Sequence, residues 1–257
     1  MRIGVCTAVG NVKRAVKGLD FIETTVGALL CPREDDSAFQ DKLLAARASL
    51  LPVEAVNCFL PGDLKCTGPA VDDAALDEYV GVACERAAQA GIQIIVFGSG
   101  GSRRVPEGFA PARAADQLVD NMKRWGPIAE AAAVTIVLEP LNKGECNIVN
   151  SVSEGAELVR RVGHPSIRLL ADTYHMTKEG EGPDSIRRAG ELLAHVHCAE
   201  RDGRGPVGLT GEDQRPYFRA LKDVGYAGRL STEAKWADFE KQLAPAVAEL
   251  RRQIETA

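Results

Sequence analysis

The sequence predicts a (β/α)8 barrel, and three observations carry that expectation. Short apolar runs alternate with longer amphipathic segments, the runs number eight, and 257 residues is about the length one such barrel needs. The runs are Arg2–Cys6, Asp20–Thr24, Val53–Phe59, Gln93–Gly98, Val134–Glu139, Ile167–Asp172, Ala194–Ala199 and Arg229–Glu233. Most are nearly continuous apolar stretches, as in parallel strands covered on both faces. Eight such units favour a closed barrel over an open doubly wound sheet. No low-complexity linker or break in composition interrupts the chain, so residues 1–257 are expected to form one barrel domain.

The helices between the strands have local reasons to form. Ala74–Ala90 sets Leu76, Tyr79, Val80, Ala83 and Ala87 at helical spacing, and Gly91 ends it. Ala114–Ala132 repeats the pattern with Leu118, Met122 and Trp125, and Gly126-Pro127 predicts a kink. Ser151 and Glu154 read as a capping box ahead of Ala156, Val159 and Val162. The last helix aligns Phe239, Leu243, Val247, Leu250 and Ile254.

The loops on the two ends of the barrel differ. Those after strands are rich in Gly, Pro and charge: PGDLKCTGP, GSGGSRRVPEGF, PLNKGECN, TYHMTKEGEGPD and ERDGRGPVGLTGED. Those before strands are short, such as AAQAG, VGHPS and VGYAG. Loops after strands build the active-site face of such a barrel, which says where chemistry belongs.

Composition narrows the function. A formal charge of -5 with four histidines gives no basic footprint for nucleic acid. The seven cysteines are odd in number, widely spaced and without a CxxC pair, so buried reduced thiols are expected rather than disulfides or a zinc ribbon. No apolar stretch of about eighteen residues is present, and MRIGVC opens without a basic leader. The expectation is a cytoplasmic small-molecule enzyme with no membrane or nucleic-acid partner.

Four successive strand ends carry side chains that bind metals. Strand five ends VTIVLEP with Glu139, strand six IRLLAD with Asp172, and strand eight RLSTE with Glu233. Strand seven, AHVHCAE, puts His195 and His197 on one side by its period of two. Singly, each has a plainer explanation: a turn glutamate before Pro140, a helix-capping aspartate, a core histidine. Together, three carboxylates and an imidazole at one rim repel unless a cation sits among them, and no Lys or Arg stands at those positions. The oxygen and nitrogen donors suit Mn²⁺, Mg²⁺ or Co²⁺ better than a structural zinc, which recruits thiolates.

The phrases LEPLNKGECN, LLADTYHM, HVHCAE and STEAKW resemble the metal-site motifs of the xylose-isomerase-like TIM-barrel superfamily. Within it they are most similar to the D-tagatose/D-psicose (allulose) 3-epimerase group of ketose epimerases. That resemblance implies one divalent ion, Mn²⁺ first with Co²⁺ or Mg²⁺ as alternatives, held by Glu139, Asp172, His197 and Glu233. It implies that Glu139 and Glu233 are the catalytic pair, one removing the C3 proton of a free ketose and the other returning a proton from the far face. The family's route runs through a cis-enediolate held by the metal. It also implies substrate contacts at Glu145, at His175 of DTYHM, and at an arginine after strand seven. The loop HCAERDGRGP carries one extra residue, making Arg204 the choice and Arg201 its ungapped rival. A homo-oligomer, dimer or tetramer, is a further expectation from the family.

Several residues stay open. Glu23, ending strand two, either faces the pocket or is structural. His195 is expected beneath His197 as a supporting residue, and His164, before a strand, is expected to be structural. The loop GSGGSRR lacks the Lys of a P-loop, so Arg103 and Arg104 are expected as a surface pair, with a phosphorylated substrate as the other use. The competing reaction is that of a sugar, hydroxypyruvate or inosose-type isomerase on the same metal site. The superfamily's endonuclease branch, with three zinc ions, needs more histidines on the loop face than His175, His195 and His197.

Overall fold

The computed structural model describes residues 1–257. Eight parallel strands close into a barrel in sequence order: β1 Arg2–Cys6, β2 Phe21–Thr25, β3 Val53–Asn57, β4 Ile94–Phe97, β5 Thr135–Leu138, β6 Ile167–Asp172, β7 Leu193–Cys198 and β8 Arg229–Thr232. β8 pairs back onto β1 through Arg2↔Arg229 to Val5↔Thr232, so no edge is left open. Around it lie α1 Val26–Leu29, α2 Asp36–Arg47, α3 Asp73–Ala90, α4 Gly100–Arg103, α5 Pro111–Ala131, α6 Val152–Val162, α7 Thr173–Glu179, α8 Asp184–Ala189, α9 Arg215–Asp223 and α10 Phe239–Thr256.

Two apolar layers hold the ring. Inside it, Phe21, Ala55, Ile94, Val96, Val137 and Leu170 pack together. Phe21 fits because its neighbour across the β1–β2 pair is Gly4, where a Cβ would lie 2.3 Å from the Phe21 ring. The larger layer lies between strands and helices, with Phe59, Phe97 and Trp125 at its centre. Phe97 meets Trp125 edge to face at 5.3 Å, and the indole Nε1 donates to Asp77 Oδ1 at 3.1 Å. Each large side chain so buried contributes about 1.5–3 kcal/mol. Below the apolar floor, Glu54 accepts from Arg229 Nε at 2.7 Å and pairs with Arg2, capping the N-terminal end of the barrel.

The predicted elements appear with instructive differences. Strand three stops at Asn57 rather than Phe59, because Cys58 takes a left-handed backbone, φ 52. The helix of Leu118 and Met122 starts at Pro111, a favoured first-turn proline, and runs unbroken through Gly126-Pro127. Its buried face, with Leu118, Met122, Trp125 and Ala129, outweighs the hydrogen bond that Pro127 cannot donate. Ser151 caps α6 as expected, but Glu154 reaches back to the Asn150 N–H at 2.7 Å, one residue before the usual capping-box partner. All seven cysteines are free; Cys31, Cys66, Cys84, Cys146 and Cys198 are buried and Cys58 is exposed. No helix is long and apolar enough to cross a membrane.

Candidate active site and metal centre

At the C-terminal mouth of the barrel, Glu139, Asp172, His197 and Glu233 converge. Their donor atoms all lie within 4.8 Å of one another. Glu139 and Glu233 stand one residue beyond their strands, yet their backbones still pair with neighbouring ones, to Phe97 O at 3.2 Å and Cys198 O at 3.1 Å. The side chains are therefore fixed by the sheet rather than by loops. Behind Glu139 lies Gly98, where a Cβ would fall 2.2 Å from Glu139 Oε2; only glycine leaves room for that carboxylate.

Asp172 reconciles two readings that the sequence set against each other. Its Oδ1 caps α7 by accepting from the Tyr174 N–H at 2.7 Å. Its Oδ2 is buried and meets no donor within hydrogen-bonding geometry. One oxygen serves the helix and the other faces the cluster.

His197 is held from behind. Its Nε2 lies 2.8 Å from Glu23 Oε1, while Nδ1 points into the cluster, 3.1 Å from Glu139 and 3.4 Å from Glu233. Glu23 is wholly buried, and its other oxygen takes His195 Nε2 at 2.8 Å and the Ser231 hydroxyl at 2.7 Å. Glu23 therefore acts through the histidines, and His195 lies in the supporting layer as expected.

The electrostatics follow from this crowding. Burial resists charge on the His197 ring, but Glu23 and Glu233 outweigh it and hold its pKa well above the ordinary value. Burial likewise opposes ionisation of Glu23, and the two imidazoles overcome it and hold its carboxyl well below. Burial wins at Glu139, which is raised, and at Asp172, which is pushed up to about 6. At Glu233 burial loses to His197 and Arg204, and the carboxyl is lowered. Nδ1, with carboxylate oxygens 3.1 and 3.4 Å away, and the unpartnered Asp172 oxygen both mark a place for a cation, and the donor set fits a divalent metal ion.

The loops add polar groups above the cluster. Arg204, in a left-handed conformation at φ 54, contacts Glu233, reaches Glu145 at 3.4 Å and Asp172 at 3.8 Å, and stacks 4.6 Å over the Tyr174 ring. The carboxylates thus have one protein cation after all, brought by a loop rather than by the strand ends. Arg201 is exposed and stays outside, its backbone N–H bonded to Glu212. His175 is buried; its Nδ1 accepts from the Asn142 N–H at 3.1 Å, which places the ring proton on Nε2, 3.5 Å from Asp172. Glu145 is half-exposed and accepts from Asn142 Nδ2 at 3.0 Å.

Arg103 and Arg104 part company: Arg104 is exposed, as expected, but Arg103 is not at the surface. Arg103 is wholly buried, donates to the Glu139 carbonyl at 2.8 Å and stacks 5.3 Å from Phe97. Arg104 donates to the Glu145 carbonyl at 2.8 Å. They tie the strand-four loop to the end of strand five and to the loop that follows it, and Arg103 is closed to a phosphate. His164 accepts from the Ser166 N–H at 3.2 Å before β6, away from the site. Two site residues escaped the sequence reading. Asn57 gives no motif, and Asn142 sits inside LEPLNKGECN without a signal of its own.

Comparison with known proteins bears on the family and the fold. A family model described as Xylose isomerase-like TIM barrel matches residues 12–255. An L-ribulose 3-epimerase of Methylomonas sp. is 30% identical over 242 residues, 90% of this chain and 78% of its own length. A D-psicose 3-epimerase of Ruminiclostridium cellulolyticum is 32% identical over 122 residues, 46% of this chain and 40% of its own, so the match spans under half of that relative. In fold, the crystal structure of D-psicose 3-epimerase with D-tagatose from Clostridium cellulolyticum superposes with a TM-score of 0.82 over 99% of both chains at 20% identity. With its closed barrel and its matched length, the chain belongs to the xylose isomerase-like TIM barrel family, and D-psicose and L-ribulose 3-epimerases are among its relatives.

Proposed function

We propose that this protein is a divalent-metal-dependent isomerase that epimerises free ketoses at C3. The observation that carries the proposal is the convergence of Glu139, Asp172, His197 and Glu233 at the barrel mouth, two glutamates flanking the histidine. Those four residues would hold the metal, Mn²⁺ first, with Co²⁺ or Mg²⁺ as alternatives. When bound, the ion supplies positive charge that acidifies a C–H group beside a ketone.

The chain's own residues supply the proton traffic. Glu139 and Glu233 take opposite faces of C3: one carboxylate removes the proton, and the other, protonated, returns one from the far side. The sugar's configuration decides which acts first. Arg204, His175 and Glu145 surround the approach with donors and acceptors suited to sugar hydroxyls, and Arg204 would orient the substrate. Tyr174 and the carboxylates beneath restrict the guanidinium to a narrow set of positions, which is what orientation requires.

The test is proton exchange in D₂O, read by NMR on Mn²⁺-loaded protein with D-fructose, D-psicose, D-tagatose and the ketopentoses. The expected result is deuterium at C3 of at least one sugar with its C3 epimer formed. With Glu233→Gln no epimer should form, and any remaining exchange is confined to the epimer that faces Glu139. Exchange confined to C1 would assign an aldose–ketose isomerase instead. Unchanged epimerisation at C3 in the variant would remove Glu233 from the mechanism.

A further inference from the structure

The last residue of β3, Asn57, is part of the site although no motif points to it. It is 5% exposed, and its Nδ2 donates to Glu233 Oε1 at 3.2 Å. Strand eight and strand three are separated in the ring by β1 and β2, so this bond spans the barrel mouth rather than following its wall. A carboxylate accepts and does not donate, so the amide can take only one orientation: nitrogen toward Glu233, oxygen away. That oxygen, Oδ1, is buried and meets no donor of the protein. Buried amide oxygens are rarely left without a donor. The backbone fixes this placement, since Thr25 pairs with Asn57 in register and Cys58 turns the chain aside at φ 52.

We infer that Asn57 is a substrate-binding residue as well as a positioning residue: its Nδ2 holds Glu233, and its Oδ1 accepts a hydrogen bond from a hydroxyl of the bound sugar. The inference rests on the epimerase reading for its substrate class. An amide that served only to brace Glu233 would gain nothing from an acceptor sealed beside the reaction centre. Here one planar group ties the carboxylate to the hydroxyl that must be aligned with it. A sugar lacking that hydroxyl would leave Oδ1 without its donor, which is how such sites discriminate.

The experiment pairs two variants with deoxy sugars on the full-length, Mn²⁺-loaded chain. The best ketohexose and its 1-, 4-, 5- and 6-deoxy analogues are compared for kcat and KM with wild type, Asn57→Ala and Asn57→Asp. Wild type is expected to lose about tenfold or more in kcat/KM on one analogue. Asn57→Ala should lower kcat on the parent sugar and abolish the penalty for that analogue alone. Asn57→Asp keeps an acceptor but loses the donor to Glu233, so it should lower kcat and retain the penalty. A purely structural asparagine would leave the deoxy penalties unchanged in Asn57→Ala, and that result overturns the inference. Should Asn57→Ala fail to fold, the near-isosteric Asn57→Asp decides, and an unchanged kcat overturns it. A wild type that exchanges no ketose sinks the epimerase reading and this inference with it, a result distinct from an active enzyme indifferent to Asn57.

Discussion

Asp172 shows how far single residues could be understood from sequence. An aspartate after an apolar strand has two ordinary uses, helix cap and metal ligand, and a sequence offers no way to see that its two oxygens are used separately. Glu23 is the same problem in another form. Its membership of strand two was legible, but it is the middle residue of β2 rather than its end, and its partners are residues of β7 and β8, more than 170 positions away. Strand periodicity tells which side a residue faces and not what it meets across the barrel. We predict that Glu23→Gln weakens Mn²⁺ binding about 10- to 100-fold, measured by calorimetry, because the His197 ring loses the charged anchor that fixes its orientation. Unchanged affinity would show that the β7 backbone alone orients the ring.

At the scale of elements, the strands were legible because apolar runs are the direct consequence of burial on both faces. Their ends were less so. Cys58 cuts strand three short by a backbone conformation that composition does not announce. The loop after β7 was the hardest element, and it turns Arg204, not Arg201, toward the cluster. The buried carboxylate of Glu200 gathers the backbone N–H groups of Gly208 at 2.9 Å, Thr210 at 2.6 Å and Glu212 at 3.3 Å. The Arg204 carbonyl is fastened by the Lys235 N–H at 2.7 Å. With the loop pinned at both places and Arg204 left-handed, its side chain turns inward, which spacing alone could not reveal. The end of β4 offers a sharper test. Gly98→Ala sets a methyl against Glu139 and should lower kcat about a hundredfold by displacing the carboxylate about an ångström. Circular dichroism should show the barrel intact; full activity would mean that Glu139 has room to spare.

The whole molecule was the most legible level, because a closed ring of eight parallel strands follows from a repeated pattern rather than from any one residue. Its end-to-end division was legible too, in long loops after strands and short ones before. The proposed ion would join four consecutive strand ends, β5 to β8, so its effect should reach the fold. We predict that dialysis against EDTA abolishes turnover and that Mn²⁺ or Co²⁺ restores it. At an ion concentration about a hundredfold above Kd, binding should raise Tm by about 5–10 °C, read by calorimetry. Full turnover in metal-free protein would sink the proposed chemistry.

The buried Glu23 also limits how this protein can change over generations. One carboxylate bridges His195, His197 and Ser231, so strands two, seven and eight form a single unit of inheritance. A descendant that replaces Glu23 with an apolar residue would leave two imidazoles and a hydroxyl without their acceptor at once. Divergence toward a new sugar should therefore run through the loops, whose residues answer to fewer partners, while these three strands drift together or not at all.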